Sequence, residues 1–551
     1  MINSPRGSGA VKAARLTSIS VFAFTSLLQG VTSIMRSFSN DLMGTASNYK
    51  GWFNYLEAPA FYASLKSLLL APQIILFKDK RRRLAFIAFF SVWMIPVLFP
   101  FFRFALYGFM GDYYKHGLSI FIPFIFLLFG LYGLKNIEEK NNLNNVVLLI
   151  TFLILLLALY IPYFDGTQYE FKDIIDTDLR SVITLFLFLY TGLLYLLQFD
   201  KSRKYIKLLL LFILCIEVGY LSSITTNHRK VLTNAQYNSK VGYNDYSLDA
   251  INYLKSIDTG FYRINKAFFS SLANFNFSND AQIQGFYGTS SYASFNKREY
   301  IDFLEKTGII DKGQEYQTRW SRGLVTRPVL QAITTVKYNI VKTADISSKN
   351  LLFKIIYEPI KTIGDVLVLK NKYFVPLGFS YDKYITLEDF EVLPSDMQKD
   401  MAMIQAVVTD FPLPDLNRIS PDEVIRNTEK FTWGDLDKIV AHKKNDAMEM
   451  TYFRQKDIKG TVTLDKKKLI FFSIPLDDGW MAYDNGKPLE FIKANIGFMG
   501  ILLDKGTHDI ELKYRIKHLN IFLSISIISL LIYLTMLFLQ IPTFRKHGKQ
   551  Y

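Results

Sequence analysis

The sequence predicts a polytopic α-helical membrane protein of about eight transmembrane helices with an extracytoplasmic α+β domain that ends in a β-sandwich, and three observations carry this. Hydrophobic residues make up 50% of the 551 positions and gather in windows of about 20 mostly apolar residues, the length a helix needs to cross the hydrocarbon core. Lys and Arg, 64 in all, stand largely at the ends of those windows and segregate between alternate loops. A long polar segment, residues 225–517, separates the last two windows.

The windows are Leu16–Met35, Pro59–Phe77, Leu84–Phe102, Gly117–Leu134, Asn144–Tyr163, Ser181–Phe199, Tyr205–Ile224 and Leu519–Ile541. Basic residues concentrate on the cytoplasmic side of a membrane, so Lys78–Arg83, Lys201–Lys207 and Arg545–Lys549 are read as inside. Both termini then fall inside, and loops 36–58, 103–116 and 164–180 fall outside together with 225–517. The stretch Asp165–Arg180 agrees, with five acidic and two basic residues. This divides the chain into a seven-helix bundle (1–224), a mixed α/β part (225–445), a β-sandwich (446–517), and a last helix with a cytoplasmic tail (518–551). In the mixed part Ser247–Ile257 and Asn296–Gly308 read as helices, and Val336–Val341 and Val366–Leu369 as strands. From Thr461 to Tyr514 polar and apolar residues alternate with period two, and Asp484-Asn-Gly486 and Asp504-Lys-Gly506 supply turn chemistry, the pattern of a small antiparallel sandwich.

A formal charge of +15 invites a nucleic-acid reading, but the basic residues flank apolar windows and form no aromatic-interleaved patch, so no nucleic-acid partner is expected. The single cysteine, Cys215, excludes a disulfide framework. No Walker A, G-x-G-x-x-G, H-E-x-x-H or G-x-S-x-G motif occurs, and the six His have no metal-ligand spacing, so no cofactor is evident. Asp165, Glu170, Asp173, Asp176 and Asp178 lack the order of a calcium loop and read as a solvated acidic face, leaving any divalent metal unassigned. Ionisable residues inside apolar helices are costly and mark function or a structural pair, which singles out Lys66 and Glu217, the two as potential partners. Trp480 and Tyr483 offer sugar-stacking rings, although an odd spacing on a strand sets them on opposite faces, one of them towards the core.

The stretches Ile474-Pro-Leu-Asp-Asp-Gly-Trp480, Asp484-Asn-Gly-Lys487, Asn495-Ile-Gly-Phe-Met-Gly500 and Lys505-Gly-Thr-His508 through Tyr514, just before the last apolar window, resemble the signature of the YfhO family of bacterial membrane proteins. Phe261-Tyr-Arg263, Gly288-Thr-Ser-Ser-Tyr292, Val336-Lys-Tyr338, Val375-Pro-Leu377 and Ile216-Glu217 are weaker echoes. The resemblance implies a GT-C-like glycosyltransferase of the bacterial inner (cytoplasmic) membrane, with a polyprenyl-phosphate-linked sugar as donor and an envelope polymer or glycan as acceptor, lipoteichoic acid in some Gram-positive members. Family proteins carry a further N-terminal bundle, so this chain is expected to correspond to their C-terminal part, which leaves room for a separate N-terminal half or for loss of catalysis. Such chemistry needs a base at the acceptor and cations at the leaving phosphate, both on the outer face. Asp41 and Glu57 are the candidate catalytic carboxylates, Glu57 also being placed to complement a helix dipole. Arg103, Lys115 and His116, beside Gly108 and Gly111, are the candidate lipid-phosphate contacts, with interfacial anchoring as the plain alternative. The non-enzymatic alternative is an envelope protein that binds glycan or a partner chain.

Overall fold

The structure, a computed structural model, describes residues 20–77, 79–107, 113–115, 117–140, 143–161, 174–199, 203–229, 231–271, 279–293, 296–311, 314–324, 327–346 and 355–547. The chain falls into two compact units, Gly7–Thr233 and Asn234–Tyr551.

The first unit is helical: α1 Leu27–Phe38, α2 Leu65–Leu70, α3 Lys80–Leu98, α4 Pro100–Leu106, α5 Leu118–Lys140, α6 Asn145–Tyr160, α7 Thr177–Leu196 and α8 Arg203–Asn227. Their starts follow from capping chemistry. Ser26 and Gln29 form a reciprocal capping box at α1, and Asp79, Asn144 and Asp176 accept amide hydrogens at the starts of α3, α6 and α7. Asp176 is thereby a helix cap; Asp165, Glu170 and Asp173 lie outside the described residues.

Three expected spans are not continuous helices: the described part of window 16–35 is helical only from Leu27, and in the other two proline is the reason. Window 59–77 is non-helical up to Ser64, runs as α2 for six residues, and tightens into a 3₁₀ turn over Ala71–Leu76 with Pro72 near its start. Window 84–102 bends by 100° between α3 and α4. Pro100 has no amide hydrogen for the Pro96 carbonyl, and Arg103 replaces it, its Nη1 donating to the carbonyls of Pro96 at 3.0 Å and Val97 at 3.1 Å. α2 packs closely on α5 because Gly130 and Gly133 face it; a Cβ at Gly133 would stand 3.0 Å from the Leu70 carbonyl oxygen. Among the described residues four helices are long and apolar enough to cross a membrane, α5, α7, α8 and the C-terminal helix of the other unit, or five if the bent pair counts as one span.

The second unit contains α9 Tyr246–Ile257, α10 Arg298–Lys306 and the terminal α11 Leu519–His547, with sixteen strands in its three larger sheets. In chain order these are β1 Arg263–Lys266, β2 Val336–Lys342, β3 Tyr357–Ile363, β4 Val366–Asn371, β5 Phe379–Tyr381, β6 Lys383–Thr386, β7 Val407–Thr409 and β8 Asn417–Arg418. They continue with β9 Glu449–Arg454, β10 Asp457–Leu464, β11 Lys468–Pro475, β12 Trp480–Asp484, β13 Lys487–Leu489, β14 Ile492–Ala494, β15 Phe498–Leu503 and β16 Gly506–Tyr514. A four-stranded sheet has the order β1-β2-β4-β3, a seven-stranded sheet β8-β6-β7-β14-β15-β11-β5, and a five-stranded sheet β9-β10-β16-β12-β13.

The period-two stretches form a sandwich, but one of its sheets recruits β5 to β8, residues 379–418, so the division expected at 445/446 runs through a single sheet. The strand Lys468–Pro475 shows why. It is apolar on both faces: Ile470 and Phe472 pack into the sandwich with Val462, Met499, Ile501 and Leu512, while Leu469 and Phe471 pack into a second core with Phe379, Tyr381 and Val407. A strand buried on both sides needs a layer on each. Asp484-Asn-Gly486 makes the tight β12–β13 hairpin, with positive φ at Asn485 (48°) and Gly486 (78°). Asp504-Lys-Gly506 instead carries the chain from one sheet to the other, since β15 and β16 belong to different sheets.

His508 ties these turns together, its Nδ1 2.8 Å from Asp484 Oδ2 and its Nε2 3.0 Å from the Asp504 carbonyl. Burial disfavours the imidazolium, but the Asp484 carboxylate and the Asp504 carbonyl outweigh it and raise the His508 pKa above its ordinary 6.5. A raised pKa stabilises the fold fully below 6.5 and loses that contribution as pH climbs through the folded-state value. The unfolding midpoint of His508→Gln should therefore lie below that of the parent under acid conditions and converge with it as pH rises; a gap that is constant or widens with pH would contradict the assignment.

Candidate functional site

Among the described residues of the helical unit two carboxylates have almost no exposure, one carried by α8 and one bound by it. Glu217, fully buried, accepts four hydrogen bonds: from the Tyr62 hydroxyl (2.8 Å), the Ser64 hydroxyl (3.0 Å), the Leu65 amide (2.8 Å) and the Tyr190 hydroxyl (2.5 Å). An ionised carboxylate is an acceptor only, and four donors match its lone pairs. The carboxylate also caps α2, whose preceding residue Ser64 has φ 69° and supplies no cap of its own. Glu217 thus joins α7, α8 and the broken 62–65 segment. Lys66 lies close enough to feel the Glu217 charge but makes no hydrogen bond or close ion pair with it; neighbouring hydroxyls and an amide are the direct partners.

Two turns further along α8, about 12 Å at 1.5 Å per residue, Thr225 donates to Asp41. Asp41, 3% exposed, also receives the Thr45 hydroxyl at 2.9 Å and the Tyr55 hydroxyl at 2.7 Å. Beside it Arg36, 2% exposed, donates to the carbonyls of Asn40 (2.8 Å) and Tyr55 (3.1 Å) and lies over the Tyr55 ring at 4.7 Å. Burial first, then the bond to Asp41, raises the Tyr55 pKa, so this phenol stays protonated and donating. Arg36, Tyr55 and Thr225 were not singled out from the sequence. A cation at a helix end and a Thr two residues before one carry no signal by themselves.

Glu57 stands at the far end of the same 39–58 stretch. Lys115 Nζ is 3.0 Å from its Oε1, Asn54 donates to its Oε2 at 3.1 Å, and the Tyr114 amide donates to its backbone carbonyl at 3.0 Å. Solvent reaches this pair: the side chains are 14% exposed for Glu57 and 34% for Lys115. Two residues from different predicted roles, base and phosphate contact, are therefore partners in one ion pair.

Arg103 corrects the expectation of a phosphate contact. It is fully buried, commits Nη1 to the α3–α4 break and stacks on the Tyr114 ring at 4.3 Å, which leaves no surface for a lipid headgroup. His116, Gly108 and Gly111 lie outside the described residues. In the other unit Trp480 packs on the sandwich core and on Tyr514, with ring centroids 5.2 Å apart, whereas Tyr483 carries Lys513 Nζ 5.6 Å above its ring. The odd spacing keeps the two aromatics from forming one platform. Among the described residues no three His, Cys, Asp or Glu side chains come together as a metal set.

A family model described as "Bacterial membrane protein YfhO" matches residues 17–428 and 430–526. The chain belongs to the YfhO family. No curated protein and no solved structure matches it. In this YfhO member the four signature stretches hold the sandwich together. A Cβ at Gly479 would meet the Arg515 carbonyl at 2.6 Å, and the Arg515 amide donates to Gly479 at 2.8 Å, so the Gly-Trp pair clamps the end of β16. Asn495, with positive φ, exchanges two hydrogen bonds with Val408, one through its side chain, and a Cβ at Gly497 would stand 2.0 Å from the Glu299 carbonyl oxygen of α10. Asp484 and His508, from the second and fourth stretches, bind each other.

The Glu217 network predicts a stability effect. Glu217→Ala leaves four donors without their acceptor and should cost about 3 kcal/mol or more, while Glu217→Gln, which keeps one acceptor oxygen, should cost less. Thermal unfolding of the detergent-solubilised chain measures both; equal midpoints for all three proteins would show that the network does not hold the bundle.

Proposed function

We propose that this YfhO family member is a membrane glycosyltransferase, or the C-terminal part of one, that transfers a sugar from a polyprenyl-phosphate donor to an envelope acceptor on the outer face of the bacterial inner membrane. The observation that supports it best is the solvent-reached Glu57–Lys115 pair set beside the covered Arg36–Asp41–Tyr55 cluster in one loop segment. The proposed topology has eight spans, both termini in the cytoplasm and residues 225–517 outside. That places the 36–58 loop at the headgroup level, where a lipid-linked phosphate lies.

The ion pair suggests the order of events. A donor phosphate competes with Glu57 for Lys115, and Glu57, released from its cation, becomes an acceptor of protons. The acceptor hydroxyl gives its proton to Glu57 as its oxygen bonds to the sugar's anomeric carbon. The bond from that carbon to the phosphate oxygen breaks, with the electron pair leaving on the phosphate that Lys115 holds. In this reading Asp41 is a positioning residue: Tyr55 and Thr225 anchor to it and hold the loop against α8.

A second reading, a non-catalytic envelope protein that binds glycan or a partner chain, is favoured by the burial of Asp41 and by the use of the family signature for sandwich architecture.

The test uses the full chain with a labelled polyprenyl-phosphate hexose and envelope acceptor fractions. Glu57→Gln should lower transfer about 10²- to 10⁴-fold with its pH dependence lost. Lys115→Ala should raise the donor KM, and Asp41→Asn should lower stability together with transfer. An active Glu57→Gln chain removes the proposed base, and a parent chain that transfers nothing but retains glycan favours the second reading. Orientation is checked separately: an alkaline phosphatase fusion near residue 350 should be active and a cytosolic reporter there silent, and the reverse pattern would rule out the outward-facing domain.

A further inference from the structure

Within the second unit, a cavity of about 210 Å³ opens between β1, the 288–291 loop and β11. It is smaller than the roughly 300–1,000 Å³ of drug-sized ligand sites, and so is matched to one sugar ring or one small anion. Arg263, Thr289, Ser290, Ser291, Tyr300 and Ser473 are among the residues that line it.

Arg263 is the unusual member. Its Nη1 donates to the Thr334 carbonyl at 2.6 Å and the Ser473 hydroxyl at 2.8 Å, and its Nη2 to the Ser473 carbonyl at 2.8 Å. A guanidinium has five N–H donors, so two remain after these three bonds. No carboxylate among the described residues pairs with it, and burial lowers its pKa to about 10, a value that still leaves it charged at neutral pH. A part-buried cation with no carboxylate beside it is suited to pairing with an anion. The facing wall adds further donors. Ser290 has no hydrogen-bond partner for its hydroxyl among the described residues, and the amides of Gly288, Thr289 and Ser290 donate to no described acceptor. Tyr300 steadies this wall through its bond to the Thr289 carbonyl at 2.7 Å.

We propose that this cavity binds an oxyanion carried on a sugar or polyol unit, its phosphate or carboxylate facing Arg263 and its hydroxyls facing Thr289, Ser290 and Ser291. The site stands whether or not the helical unit transfers sugar, and it makes the outer domain a reader of charged glycan.

The full chain in detergent is titrated by calorimetry with inorganic phosphate, glucose 6-phosphate, glucuronate and neutral glucose. Binding of glucose 6-phosphate or glucuronate, tighter than glucose by about 10-fold or more, is expected, and whichever anion wins identifies the group as phosphate or carboxylate. Arg263→Lys keeps the charge but loses the fork and should weaken the preferred probe about 10-fold. Ser290→Ala, which removes no hydrogen bond among the described residues, should weaken it about 3- to 10-fold with the unfolding midpoint unchanged. The proposal is overturned if neither anionic sugar binds more tightly than glucose, or if both variants bind as the parent does.

Discussion

The helical unit depends on a charge placed where charge is expensive. Glu217 lies in a helix long and apolar enough to span a membrane, and its carboxylate is tolerated because two tyrosines, a serine and a backbone amide turn their hydrogens to it. The consequence reaches beyond the side chain. One of those donors is the first amide of α2, so the interrupted segment 59–76 is held at α8 rather than drawn out as an independent helix. The 39–58 loop precedes that segment directly, and its Asp41 binds the same helix at Thr225. Two carboxylate anchors on one helix therefore set where the loop sits, and with it the Glu57–Lys115 pair.

A parallel economy governs the break between α3 and α4. Prolines at 96 and 100 strip hydrogen bonds from an apolar helix, and the Arg103 guanidinium restores partners for two of the exposed carbonyls. A cation that looks suited to a lipid phosphate is consumed by the backbone. Glu57 and Lys115, by contrast, keep solvent contact, at 14% and 34% exposure.

In the second unit the residues that identify the family are mostly answers to packing. Gly479, Gly497 and the left-handed Asn495 allow close approach of backbone to backbone, and His508 bridges the two turns that close the sandwich. The apolar face on either side of β11 fuses the sandwich to the layer before it, so one sheet is shared between two cores. Arg263 differs from these residues in having N–H donors that no described residue takes up.

Sequence by itself determined the membrane class, the family, the polar segment before the last helix, the strands and hairpin turn of the sandwich, and the opposed faces of Trp480 and Tyr483. Each follows from a local rule: apolar run length, period-two alternation, or the φ a turn demands. It also flagged Glu217, because a lone carboxylate in an apolar run needs an explanation wherever it sits. Only the tertiary structure decided that hydroxyls and an amide would be the direct partners of Glu217, that Arg103 would face carbonyls, that Glu57 and Lys115 would meet across 58 residues of chain, and that β5 to β8 would complete the sandwich sheet. Those outcomes depend on which groups remain unsatisfied once the helices break and the sheets close, and hydrogen-bond partners chosen across such distances leave no periodic trace in the chain.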